Sequence, residues 1–181
     1  MNKRIVVIGS GNVATHLALA LYKKGYIILQ VYSRQLANAE TLAKRVGGVA
    51  VDNIADIVGD ADFYFISVKD DAIADIVSSL KIQNPDTVVA HTAGSVPLSV
   101  LSSKVAHSAV FYPMQTFTKS RELDFSVIPC FIEASDAETF SKIKVVAESI
   151  SNRVVEADSA RRKTMHLAAV FACNMVNHCY H

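Results

Sequence analysis

Apolar positions along the chain follow two alternating rhythms. Short β-branched runs at residues 4–8, 27–32, 49–51, 63–68 and 87–90 read as strands, and the stretches 12–24, 36–46, 71–80 and 97–101 between and after them carry helical spacing. Ile5-Val6-Val7-Ile8 and Phe63-Tyr64-Phe65-Ile66 are apolar at successive positions, as strands covered by helices on both faces must be. The order predicts an α/β fold with a doubly wound, mostly parallel sheet. Further strands are expected at 108–112, 130–133 and 153–155, with a helix over 137–150, so that one domain spans residues 1–156.

From residue 157 the pattern changes. Asp158 or Ser159 is able to cap a helix that meets no Gly or Pro before His181. Such a helix, roughly 33 Å long, exceeds what the edge of a sheet needs for cover. Leu167, Val170, Phe171, Met175 and Val176 spread apolar surface over more than one of its faces, and each such face requires burial. Residues 157–181 are therefore expected to begin a helical dimerisation or substrate domain that is incomplete here. Either a homodimer through this helix or further helices of a longer chain would cover it.

The first strand runs directly into Gly9-Ser10-Gly11-Asn12-Val13-Ala14, a G-x-G-x-x-G/A loop in the strand–turn–helix setting that gives the pattern meaning. Gly9 permits the tight turn, Gly11 lets the backbone approach a pyrophosphate, and Ala14 allows the helix to pack closely on the strand. The amides of Ser10, Gly11, Asn12 and Val13 would then face the phosphates at a positive helix end. The second strand ends Val31-Tyr32-Ser33-Arg34, without the carboxylate that usually accepts from the ribose of NAD. A hydroxyl followed by a guanidinium suits a 2′-phosphate, which predicts NADP as the cofactor.

Ligands of such sheets bind beyond the carboxyl ends of the strands. Val68 and Lys69 follow the fourth strand and Thr92 and Ala93 the fifth, and all four are expected to line the cofactor path. Asp70 and Asp71 have a sufficient reading as N-cap and first-turn acids of the next helix. His91 leads into a loop of small residues and is a candidate either for the reacting centre or for a structural role.

Composition narrows the partners. Among 181 residues 51% are apolar, and the formal net charge is +1; this excludes whole-chain disorder and offers no basic field for nucleic acid. Small molecules are the expected ligands. No secretory leader is read at the N-terminus, and no run reaches the roughly 18 apolar residues of a membrane span, so a cytoplasmic location is expected. Cys130, Cys173 and Cys179 fit neither a disulfide framework nor a zinc knuckle, and no metal is expected.

Taken with Ser67-Val-Lys-Asp-Asp-Ala-Ile73, His91-Thr-Ala-Gly94, Tyr112-Pro-Met-Gln-Thr-Phe117 and His166-Leu-Ala-Ala-Val-Phe-Ala-Cys-Asn174, the glycine loop and the Ser33-Arg34 strand end resemble a known family. It is that of NADP oxidoreductases with a pyrroline-5-carboxylate-reductase-like Rossmann domain, of the deazaflavin-dependent NADP reductase type and with relatives like 6-phosphogluconate dehydrogenase. The resemblance covers nearly the whole chain. It implies hydride transfer between nicotinamide and a small carbonyl, imine or deazaflavin partner, and an all-helical domain after the long helix. In related 3-hydroxyacid dehydrogenases that helix carries an acid/base Lys four residues before a substrate-orienting Asn. Asn174 matches, but Val170 stands at the Lys position. Lys163 and His166 are the substitutes, and His166 has the better intrinsic pKa near neutrality. Arg161, Arg162 and Lys163 otherwise read as a solvated basic run. The vacant Lys position leaves open a non-catalytic, NADP-binding sensor.

Overall fold

The computed structural model describes residues 3–179 other than 120 and 122, with side chains described as far as residue 172. Among them eight strands, β1 (Arg4–Ile8), β2 (Ile27–Tyr32), β3 (Val49–Val51), β4 (Phe63–Ile66), β5 (Val88–His91), β6 (Ser108–Pro113), β7 (Cys130–Ala134) and β8 (Val154–Glu156), form one sheet. Its order is β3-β2-β1-β4-β5-β6-β7-β8. All pairings are parallel except that of β6 with β7. The sheet is thus a doubly wound Rossmann sheet with one reversed step.

Successive apolar residues behave as strands buried on both faces require. Ile5 and Val7 of β1 join the cluster under α1 (Asn12–Lys23), α2 (Leu36–Val46) and α5 (Ala137–Ile150), while Val6 and Ile8 join the opposite cluster with α3 (Ile73–Ser79) and α4 (Ser99–Ser102). Leu17 and Leu21 of α1 and Ile143 and Ala147 of α5 are buried against the first face.

Most boundaries lie within two residues of the expected ones, and one difference has a local cause. The stretch expected as a helix over 71–80 opens with a 3-10 turn, Asp70–Ala72, before α3 begins. Lys69 occupies the N-cap of that turn without a side-chain cap bond, and the Asp70 carboxylate accepts from the Ser95 hydroxyl instead. Asp70 therefore ties the loop after β4 to the loop after β5 rather than capping a helix.

The last helix, α6 (Ser159–Cys179), starts as expected, with Asp158 Oδ1 accepting from the Arg161 amide at 2.7 Å. The expected solvated basic run is corrected at its centre: Arg161 and Lys163 are exposed, but Arg162 is fully buried. Leu167 and Phe171 stand 55% and 56% exposed on α6. Cys130 is a buried free thiol, while the side chains of Cys173, Asn174, Met175, Val176 and Cys179 lie outside the described residues. Among the described residues no helix is long and apolar enough to cross a membrane.

Candidate functional site

The carboxyl ends of β1, β2, β4, β5 and β6 open on one cleft of about 820 Å³, within the usual size of small-molecule sites. One wall is the glycine loop. Gly9 has φ +124°, and a Cβ there would lie 2.2 Å from the Ser67 carbonyl oxygen. Only glycine permits both the conformation and this contact. The loop is anchored by the Gly9 amide donating to the Tyr32 carbonyl at 2.8 Å and the Ser67 amide donating to that of Ile8 at 2.7 Å.

Gly11 differs in kind. Its φ of −73° is open to any residue, but a Cβ would meet nothing within 4 Å, so the missing side chain leaves free space at the wall of the cleft. Gly11 is also the N-cap of α1, and no side chain caps that end. The first-turn amides and the positive end of the helix macrodipole thus face open space suited to an anion, and a pyrophosphate fits this cradle. Ala14 is fully buried behind it. Ser10 Oγ donates to Ser33 Oγ at 2.9 Å, which joins the loop to the end of β2, and exposed Arg34 follows at the rim. Asn12 Nδ2 donates to the Phe117 carbonyl at 2.8 Å, so the Asn12 side chain fastens the loop after β6 and only its backbone remains for a phosphate.

Past Val68, Lys69, Thr92 and Ala93, which all line the cleft, lies the opposite wall, made of Gly94, Tyr112 and His166. Tyr112, near the end of β6, is 9% exposed, and its hydroxyl lies 2.9 Å from His166 Nδ1. The two rings meet edge to face with centroids 5.6 Å apart. Gly94 packs against both: a Cβ there would come within 2.6 Å of His166 Nδ1 and 2.8 Å of Tyr112 Cζ.

The position of α6 follows from a buried ion pair one turn before His166, on the same face of the helix. Arg162 Nη1 pairs with Glu133 Oε2 on β7, and Nη2 donates to the Val96 carbonyl at 2.5 Å. Ser159 Oγ donates to Glu133 and accepts from the Leu98 amide at 3.0 Å. Met165 packs with Tyr112 and Phe131. These contacts fix both the depth and the rotation of the helix that carries His166.

His91 is not among the residues that line the cleft; it ends β5, fully buried. Its Nδ1 accepts from the Ala93 amide at 3.2 Å, which leaves the proton on Nε2, an atom that makes no hydrogen bond of good geometry among the described residues. Burial foremost, and then the Arg162 charge, push its pKa down to about 4, opposed only in part by the Pro97 carbonyl. A neutral imidazole that supports the 92–94 loop and does not line the cleft is its place here, the structural one of the two roles expected of it and not the one at the reacting centre.

The other cofactor and catalytic candidates line this cleft, apart from Asn174, whose side chain is undescribed; Lys163, the alternative acid/base candidate, does not line it, and Ala14 is buried behind the loop. Sequence reasoning assigned no role to Gly94, Tyr112, Glu133 or buried Arg162. The available signals were the small residue at the end of His91-Thr-Ala-Gly94 and an arginine one helical turn before His166.

Comparison with known proteins agrees with this geometry. Residues 4–94 match the family described as NADP oxidoreductase, coenzyme F420-dependent, and residues 128–181 match a domain of unknown function. A candidate NADP oxidoreductase from Bacteroides fragilis is 47% identical over 99% of this chain and 70% of its own, with a TM-score of 0.95. A pyrroline-5-carboxylate reductase from Coxiella burnetii shares the fold at 18% identity and a TM-score of 0.70, over 88% of this chain and 60% of its own. A glutamyl-tRNA reductase from Methanococcus aeolicus is 44% identical over 50 residues, 28% of this chain and 13% of that protein.

Proposed function

The chain belongs to the NADP oxidoreductase, coenzyme F420-dependent family, and on that premise we propose that it binds NADP along the cleft and moves hydride between nicotinamide and a small carbonyl, imine or deazaflavin partner. The observation that carries this reading is the continuity of one cleft, from the uncapped α1 terminus and open Gly11 at one wall to the Tyr112–His166 pair at the other.

Bound NADPH supplies the hydride. The amides of Ser10, Gly11, Asn12 and Val13 hold the pyrophosphate, with the α1 dipole behind them. Ser33 and Arg34 take the 2′-phosphate, and Ser10 orients the Ser33 hydroxyl. Val68, Lys69, Thr92 and Ala93 line the path to the far wall. There His166, an imidazole at the edge of the cleft hydrogen-bonded to Tyr112, is the proton-transfer group, and Asn174, further along α6, orients the substrate. Exposed Leu167 and Phe171 support a homodimer through α6. The free Cys130 thiol is consistent with a cytoplasmic setting.

Titration of NADPH and NADH into the protein and into Arg34→Ala tests the reading. NADPH should bind more tightly, and Arg34→Ala should reduce that preference by about tenfold or more, because a charge-assisted contact is lost. Equal affinities in the wild type would overturn the NADP assignment. Tight NADPH binding without turnover of any carbonyl or imine would favour a sensor.

A further inference from the structure

We propose that Tyr112 is the group that hands the proton to the substrate's reacting oxygen or nitrogen, with His166 behind it as the proton store. This rests on reading the cleft as a nicotinamide site for a small carbonyl or imine. The observations concern how tightly the pair is built. Tyr112 is almost wholly enclosed, yet it reaches the cleft at the end of β6, on the same sheet edge as the glycine loop. Its ring is held by Phe131, centroids 6.2 Å apart, by the edge-to-face contact with His166, and by the Gly94 backbone, which leaves no room for a Cβ. A hydroxyl fixed in this way spends little entropy on orientation at the moment of transfer.

The direction of the 2.9 Å hydrogen bond sets its chemistry. With a neutral imidazole, Nδ1 accepts the phenol proton. With an imidazolium, Nδ1–H donates to the phenol oxygen and turns the O–H outward as a donor. In the second state the reaction balances. Bound reduced nicotinamide would supply hydride to the carbon of the C=O or C=N bond, and the π electron pair would move to the heteroatom. The heteroatom takes the Tyr112 proton, and the phenolate oxygen takes the Nδ1 proton of His166. Solvent then reprotonates the imidazole. One hydride and one proton are added across the double bond, and the nicotinamide is oxidised.

Arg34, Lys69, Asp71 and Asp75, which also line the cleft, belong to the segments after β2 and β4, whereas the pair sits on β6 and α6. Arg162 and Glu133 are bound to each other, His91 is buried outside the cleft lining, Asp70 is engaged by Ser95, and Arg161 and Lys163 are exposed on α6 and do not line the cleft.

Tyr112→Phe in the full chain tests the proposal with three readouts: NADPH affinity by fluorescence, the His166 titration followed by NMR without cofactor, and NADPH-dependent reduction of 1-pyrroline and of small α-keto acids at 340 nm. NADPH affinity should stay within about twofold, because the pyrophosphate wall is untouched. The His166 midpoint should move by about half a pH unit or more, because the variant removes the hydroxyl that lies 2.9 Å from Nδ1. Turnover should fall about a hundredfold with KM unchanged, and the variant should lose the dependence on the His166 ionisation seen in the wild type. An unmoved His166 midpoint, or turnover within about threefold of wild type across the pH range, would overturn the proposal. So would tight NADPH binding by a wild type that reduces none of the probes, which leaves the cofactor site standing. Failure of the wild type to bind NADPH would instead overturn the underlying reading.

Discussion

The two walls of the cleft are built by different means. The phosphate wall is a backbone structure built on one βαβ unit: Gly9 turns the chain, Gly11 leaves space, Ser10 links to Ser33 within the unit, and the Asn12 side chain ties the loop to the Phe117 carbonyl, 105 residues away. The opposite wall is made of side chains brought from three elements. Tyr112 and His166 are 54 residues apart, and Arg162 reaches 29 residues back to Glu133 and 66 back to Val96. A wall made of backbone suits a ligand whose charge must be cradled whatever reaction follows. A wall made of side chains carries groups able to exchange protons, and its geometry depends on how a whole helix docks. Binding and chemistry are thereby separable, and mutations should separate them.

The largest effect is expected on the side-chain wall. Arg162→Ala leaves Glu133, 17% exposed, facing an empty buried site, and breaking a buried pair costs about 3–5 kcal/mol. Urea denaturation should show that loss, while NADPH affinity of the folded fraction changes little. A loss below about 1 kcal/mol would put this pair in the class of surface ion pairs and remove the anchor of α6.

A smaller effect, of a different kind, comes from His91 behind the same wall. Its pKa in the fold is about 4, against an ordinary value of 6.5. The unfolded chain therefore binds the proton at higher pH than the fold does. Stability from this group is complete above about pH 6.5 and declines as the pH falls towards about 4, by up to about 3 kcal/mol. Denaturation of wild type and His91→Gln at pH 7.5 and at pH 4.5 isolates it: the wild type should lose more on acidification. Equal losses would mean that His91 is not held neutral by burial.

The phosphate wall is sharpened by Gly11→Val. Space within 4 Å is free, so circular dichroism should stay native, while NADPH affinity falls about a hundredfold as hydrogen bonds to a charged group are lost. Gly9→Val should do the reverse and damage the fold, because its Cβ would strike the Ser67 carbonyl at a φ of +124°. Unchanged affinity in a natively folded Gly11→Val would make the loop structural only and erase the contrast between the walls.

The alternation of strands and helices, the burial of β1 and β4 on both faces, the glycine loop and the cap at Asp158 were all legible in the amino-acid order. Each depends on conformational rules that act over a few residues: pleat and helix period, the left-handed freedom of glycine, and the reach of a capping carboxylate. Tertiary structure alone decided which of two histidines meets the cleft. His91 and His166 both stand among apolar neighbours in sequence, yet the register of β5 between β4 and β6 buries one. The docking of α6 turns the other onto Gly94 and Tyr112. It likewise decided that Arg162, within a basic run, is buried while its neighbours are exposed, because a helix's rotation about its axis is set by what it packs on, here Glu133, Val96, Tyr112 and Phe131. Partners that far away in sequence leave no local pattern, since their packing is selected only when the sheet has formed and its two faces and edge are present together.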